Sequence, residues 1–76
     1  MKQEHHKLIS ESYKAYIGSY PSTPTIEYLY SEIDSNKLTE GLLVLREEGL
    51  MKAQIFLIDT IANKFVNAKK LGITLN

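Results

Sequence analysis

The stretch that decides the fold is Ser35–Met51, SNKLTEGLLVLREEGLM. Its apolar residues recur at spacings of four and three, which is typical of a helix with one inner face: Leu38, Leu42 and Leu45. Asp34 or Ser35 can cap the first turn, because each carries a side-chain oxygen that accepts a bond from a free backbone N–H group. Gly49 is typical of a residue that ends a helix. Gly41 lies inside the predicted helix, where it indicates the close approach of a neighbouring helix.

Two further helices are predicted before this stretch. Residues 4–17 form the first, with Gly18 as its C-terminal cap. Pro24 suits the first turn of the second helix, because that turn leaves an N–H group unbonded and proline has none, and Thr23 can cap it. The second helix has the clearest amphipathic pattern in the chain, carried by Ile26, Leu29, Tyr30 and Ile33. The second and third helices therefore have the layout of a helix-turn-helix.

The last part of the sequence is harder to assign. Lys52–Ile58 follows a glycine, is rich in β-branched and aromatic residues and is too short for a helix, so it is predicted to be a strand. Two interpretations of the next segment remain open. Residues 60–71 form either a fourth helix capped by Asp59 or the returning strand of an antiparallel ribbon. Residues 73–75 are expected to be extended in both cases.

The predicted fold class is α+β: one winged helix-turn-helix domain over residues 1–76, with three helices followed by a small antiparallel β-ribbon, the wing. The length allows one small domain, and the absence of cysteine excludes disulfide bonds and thiolate metal sites. The longest apolar runs, Leu42–Leu45 and Ile55–Ile58, fall far short of the roughly 20 residues that span a membrane. The N-terminus lacks the apolar core of a signal peptide. A cytoplasmic protein without membrane contact is expected.

The third helix also carries a family resemblance. Ile33–Met51 resembles the third helix of many winged-helix proteins, which closes with leucine, three further residues, glycine and an apolar residue, as in Leu45–Leu50. The stretch is most similar to the YjcQ-like family of small phage and bacterial proteins. The residues that carry this similarity are Asp34, Leu38 and the helix ending Glu48-Gly49-Leu50. This resemblance implies a winged-helix fold and a phage or mobile-element setting. It implies no established biochemical activity.

No pattern in the sequence is typical of a catalytic or metal site. The chain has no glycine-rich phosphate loop, and its two histidines, His5 and His6, are adjacent. Neighbouring residues of a helix point about 100° apart and cannot chelate one ion together. The sequence therefore predicts a protein that is not an enzyme and has no cofactor.

The charges cancel over the whole chain but are distributed unevenly. Residues 25–50 carry a net charge of −4, and residues 51–76 carry a net charge of +3. Sequence-independent affinity for DNA comes mostly from cations that neutralise phosphates, so the C-terminal lysines are the best candidates for backbone contacts. These lysines are Lys64, Lys69 and Lys70. The alternative interpretation is that they form a solvated basic face without a partner.

The start of the third helix is the candidate for reading bases, because this part of a helix-turn-helix enters the major groove. Asn36 and Lys37 have side chains that can bond to adenine and guanine. The candidate base-reading residues are Ser35, Asn36, Lys37 and Thr39. The alternative is a solvated helix start at which Asn36 and Thr39 serve for capping. The expected function is regulation of transcription through binding of double-stranded DNA.

Leu43 and Val44 lie outside the inner face of the third helix. They indicate either a wide buried face or an apolar contact with a partner, most simply a second copy of the chain. The alternative function is a protein-protein interaction module whose acidic second and third helices meet a basic partner. The surroundings of the third-helix start distinguish the two functions. Nearby C-terminal lysines favour DNA, and isolation among acidic residues favours a protein partner.

The spacing of the tyrosines favours packing in the core over stacking on bases. Tyr13 and Tyr16 share a helix face with Ile9, and Tyr30 lies on the inner face of the second helix. Tyr28 is expected to point to solvent.

Overall fold

A computed structural model describes residues 2–74, and within that range the chain forms helices and no strand. The four helices are α1 (Gln3–Ile17), α2 (Thr23–Glu32), α3 (Ser35–Glu48) and α4 (Leu50–Lys70). Met1, Leu75 and Asn76 lie outside the described residues, so the predicted domain over 1–76 and the predicted extended segment over 73–75 each reach beyond them. Ile73 and Thr74 follow α4 without regular secondary structure.

Local signals set the ends of the first three helices. Gly18 ends α1 in the left-handed conformation, with a φ of 99°, as predicted. The cap of α2 is Ser22 rather than the predicted Thr23, because the Ser22 side chain accepts a bond from a backbone N–H group in the first turn. Asp34 caps α3 by accepting a bond from the backbone N–H of Asn36 at 2.7 Å.

The predicted β-ribbon is wrong, and with it the α+β class and the winged helix. Lys52–Ile58, predicted to be a strand, lies inside α4, and the same helix continues to Lys70. A single residue, Gly49, separates α3 from α4, with a φ of 96° that favours glycine. The sequence favoured a strand because Lys52–Ile58 is short, follows a glycine and ends in the apolar run Ile55–Ile58, which is rich in β-branched and aromatic residues. In the structure, a helix of 21 residues buries some of them and exposes the others.

α4 is the central element, since α1 and α3 both pack along it, while α2 packs mainly on α1. All three of the predicted inner faces contribute to the core, and α4 adds a fourth. The core residues are Leu8, Ile9, Tyr13, Leu29, Ile33, Leu38, Leu42, Ala53, Leu57 and Ile61. The inner face predicted for the third helix is confirmed, with Leu45 packed at its edge.

Gly41 is the point at which α3 meets its two neighbours. A Cβ atom at this position would lie 2.8 Å from Leu8 Cδ2 of α1 and 3.5 Å from Leu57 Cδ1 of α4. A separation below 3.0 Å requires the neighbouring side chain to move. The close approach predicted from this glycine is therefore confirmed.

The tyrosines divide between the core and its edge. Tyr13 is fully buried and Tyr30 is half-buried against the core, as predicted. The core position predicted for Tyr16 is wrong, because this side chain remains 37% exposed and sets its ring edge against Phe65 of α4. The prediction for Tyr28 is wrong, because this side chain packs against the core and its hydroxyl is buried.

Candidate functional site

An exposed row of apolar side chains runs along the outer side of α4. We call it the α4 stripe and define it by Met51, Ile55, Ile58, Ala62 and Val66. Met51 is 72% exposed, Ile55 60% and Val66 46%, while the other two are half-buried. The stripe is separate from the residues by which the same helix enters the core: Ala53, Leu57, Ile61 and Ala68.

The neighbours of α4 fix the position of the stripe. α1 lies on one side, where Gln54 Nε2 donates to the backbone oxygen of Glu11 at 3.2 Å and the Phe65 ring lies 6.2 Å from that of Tyr16. α3 lies on the opposite side, where Lys37 Nζ sits 4.0 Å from the centre of the Phe56 ring. Since a helix turns by about 100° per residue, the stripe lies next to the flank that α1 covers and faces away from α3.

Charged residues border the stripe on its free side. Lys52 and Asp59 are both exposed and lie seven residues apart, close to two turns of helix. The one ion pair among residues 2–74 is elsewhere, between Arg46 of α3 and Glu4 of α1 at 3.1 Å. Both charges beside the stripe therefore remain available to a partner.

Some hydrogen-bonding groups of the predicted base-reading residues at the start of α3 are already used within the helix. Ser35 and Asn36 are exposed, and the backbone N–H group of Asn36 donates to the side chain of Asp34, which caps the helix. The Thr39 hydroxyl donates to the backbone oxygen of Ser35 at 3.0 Å. The side chains of Ser35 and Asn36 are the members of this group that point to solvent without such a bond.

Lys37 and Lys64 come together at an open groove between the α2–α3 turn and α4. The groove has a volume of about 510 Å³. Its lining also includes two carboxylates, Glu32 and Asp34, which oppose the charge of the two lysines. The remaining lining residues are Ser31, Ile33 and Thr60. The start of α3 thus lies beside one of the C-terminal lysines and beside acidic groups at the same time.

The structure does not bring the three C-terminal lysines into one patch. Lys64 lines the groove, whereas Lys69 Nζ lies 5.1 Å from the centre of the Phe65 ring, on the side of α1. Lys70 is exposed at the end of α4. Because five or six residues of helix turn the side chain by well over a quarter of a circle, the three ammonium groups point in three directions.

The predicted partner contacts on α3 differ from each other in exposure. Leu43 is 47% exposed, while Val44 is half-buried and packs against the core. The sequence interpretation missed the α4 stripe, because part of α4 was taken for a strand. The signal was present in the spacing of four, three and four residues through Met51, Ile55, Ile58 and Ala62.

The described part of the chain offers no cluster of metal ligands. No group of three or more His, Asp or Glu residues within 2–74 could hold a metal ion. No helix within the same range is long and apolar enough to cross a membrane.

The pKa of Tyr13 is raised, chiefly because burial disfavours its charged form and secondly by the nearby Tyr16.

No family model, curated protein or solved structure matches the chain. The resemblance of Ile33–Met51 to the YjcQ-like family therefore stays a prediction.

Proposed function

We propose that this chain is a non-catalytic protein-interaction module that binds an apolar helix along the α4 stripe. The observation that carries the proposal is the exposure of Met51, Ile55 and Val66 along one side of a single helix. The cytoplasm is the compartment proposed for this role, as the sequence predicted.

The energetics of exposed apolar side chains support this role. Single exposed apolar residues are ordinary, but a continuous row on one rigid element is typical of an interaction surface. Burial of one Met or Ile side chain that was exposed contributes about 1.5–3 kcal/mol. Several such residues on one helix can offset the loss of freedom on binding, whereas an isolated Leu43 on α3 cannot.

Site-specific photo-crosslinking in the cells that naturally contain the chain tests the proposal. Ile55→p-benzoylphenylalanine places the reactive group in the stripe, and Glu40→p-benzoylphenylalanine places it on an exposed position of α3 as a matched control. The proposal predicts a covalent adduct of defined mass from position 55 and none from position 40. Equal adducts from both positions, or none from position 55, would refute it.

DNA binding is the second candidate, and one observation favours it. Lys37, at the start of α3, shares its groove with Lys64 of α4, so two cations lie where a base-reading helix would meet a phosphate. Glu32 and Asp34 in the same groove weaken the attraction, and Lys69 and Lys70 point elsewhere. This function therefore ranks second.

A salt titration of binding to random duplex DNA, followed by fluorescence anisotropy, tests the second candidate. Because each phosphate contact releases counterions, affinity that comes from several lysines falls steeply as salt rises. The Lys37→Gln/Lys64→Gln double variant should flatten that dependence, with Lys70→Gln as the control. No binding of the unaltered chain at low salt excludes this function.

A further inference from the structure

We infer that the helix bound by the α4 stripe is α4 of a second copy of this chain, in antiparallel orientation. The inference rests on the proposed function and specifies its partner. Three features carry it: the spacing of the stripe, the match of side-chain sizes across the pair, and the charges beside it.

The spacing of the stripe is that of a helix-pairing seam. Met51, Ile55, Ile58 and Ala62 are separated by four, three and four residues. Apolar residues that alternate between spacings of three and four keep one side of a helix against a partner helix over several turns. The core-facing side of α4 instead uses Ala53, Leu57 and Ile61, at spacings of four. The helix thus carries two separate packing faces, and the stripe is the one that residues 2–74 leave largely exposed.

An antiparallel pair brings complementary sizes together. When Ile55 of one copy lies opposite Ile58 of the other, Met51 lies opposite Ala62. The two-fold axis repeats both layers, which gives four layers in all, and Val66 lies beyond the last of them. The longest and most exposed side chain of the stripe, Met51, therefore packs against the smallest, Ala62. A self-complementary surface of this kind is what a two-fold dimer requires.

The charges support the same register. Lys52 and Asp59 lie on the same flank of the stripe, and a two-fold axis sets that flank against its own copy. In the register defined by Ile55 and Ile58, Lys52 of each copy comes within two residues of Asp59 of the other, or about 3 Å along the helix axis. Two symmetric ion pairs result, from groups that have no ion-pair partner among residues 2–74.

A charge exchange followed by sedimentation equilibrium tests the inference. Lys52→Asp and Asp59→Lys each replace both ion pairs by like charges, so each variant alone should dimerise about tenfold more weakly than the unaltered chain. An equimolar mixture of the two variants restores both pairs between unlike copies and should return to the original affinity. The double variant Lys52→Asp/Asp59→Lys should do the same. Both positions are exposed, so circular dichroism should show unchanged helix content.

The possible results separate the inference from the proposed function. A chain that stays monomeric at about 100 µM, or single variants that dimerise as well as the unaltered chain, would overturn the antiparallel dimer. In that case an adduct from position 55 to a different protein would still uphold the proposed interaction module. An adduct at twice the mass of the chain would support both.

Discussion

At the scale of single residues, Tyr13 combines full burial with an unsatisfied hydroxyl. Its side chain is 0% exposed, and its Oη atom has no hydrogen-bond partner within residues 2–74. An unpaired buried hydroxyl costs about 1–3 kcal/mol, while the ring contributes its packing in full. We therefore expect Tyr13→Phe to raise the free energy of unfolding by about 1 kcal/mol in urea denaturation. Tyr16→Phe, at a position 37% exposed, serves as the control. A loss of stability in Tyr13→Phe would show that the hydroxyl is bonded.

The burial of the Tyr13 hydroxyl also predicts that the stability of the fold depends on pH. Burial, and secondly Tyr16, raise the pKa of Tyr13 above its ordinary value of 10.0. The folded chain therefore keeps the proton at a pH at which the unfolded chain has lost it. The contribution of Tyr13 to stability is complete below the unfolded pKa and is lost as the pH rises through the folded one. Thermal unfolding between pH 9 and 11 should show a smaller alkaline loss in Tyr13→Phe than in the unaltered chain, and equal losses would contradict the assignment.

Gly41 lies where a side chain of the neighbouring helix α1 comes too close for an unadjusted Cβ atom. Alanine would gain about 0.5–1 kcal/mol of helix stability, but its Cβ atom would lie 2.8 Å from Leu8 Cδ2. Leu8 is 1% exposed, so its side chain would have to shift within the packed core, and such overpacking should cost about 1–3 kcal/mol. We expect Gly41→Ala to lose about 1 kcal/mol net, measured against Glu40→Ala on the exposed side of α3. An increase in stability would mean that Leu8 moves freely.

At the scale of elements, the sequence predicted the first three helices, left residues 60–71 open between a helix and a strand, and was wrong about Lys52–Ile58, which belongs to the same helix, α4. α1, α2 and α3 each have one apolar face and a terminal signal that acts locally, such as Gly18 or Asp34. α4 has two apolar faces, so Ile55, Phe56, Leu57 and Ile58 form an unbroken apolar run with no visible period. Periodicity alone cannot distinguish such a run from a buried strand. The helix is decided by contacts with α1 and α3, which are distant in sequence.

The helical state of this run makes a direct prediction. Ile55 and Leu57 would share one face of a strand, but in α4 they point to opposite sides. Leu57 is 0% exposed and Ile55 is 60% exposed. Leu57→Ala should therefore lose about 2–5 kcal/mol of stability, while Ile55→Ala should change it by less than about 0.5 kcal/mol. The comparison requires urea denaturation at a concentration at which the chain is monomeric. Similar losses in both variants would contradict the helix.

At the scale of the whole molecule, the sequence alone did not reveal which side chains share a surface, because the turn of a helix decides which of them lie together. Lys64, Lys69 and Lys70 look like one basic cluster in the sequence, yet α4 turns them to different sides. The stripe through Met51 and Ile55 was hidden for the opposite reason, because its members are scattered in sequence and align only on a helix. Leu43 lies outside the inner face of α3, as predicted, and is 47% exposed, but it stands alone on that helix.

The central claim is that the α4 stripe is an interface, and sedimentation equilibrium of Ile55→Glu tests it most directly. A carboxylate at the middle of the stripe would have to be buried without a partner, which strongly opposes association. Leu43→Glu, at an exposed apolar position of α3, is the matched control. We predict a dimer for the unaltered chain and for Leu43→Glu, and a monomer of unchanged helix content for Ile55→Glu. Ile55→Glu dimerising like the unaltered chain, or Leu43→Glu alone becoming monomeric, would contradict the claim.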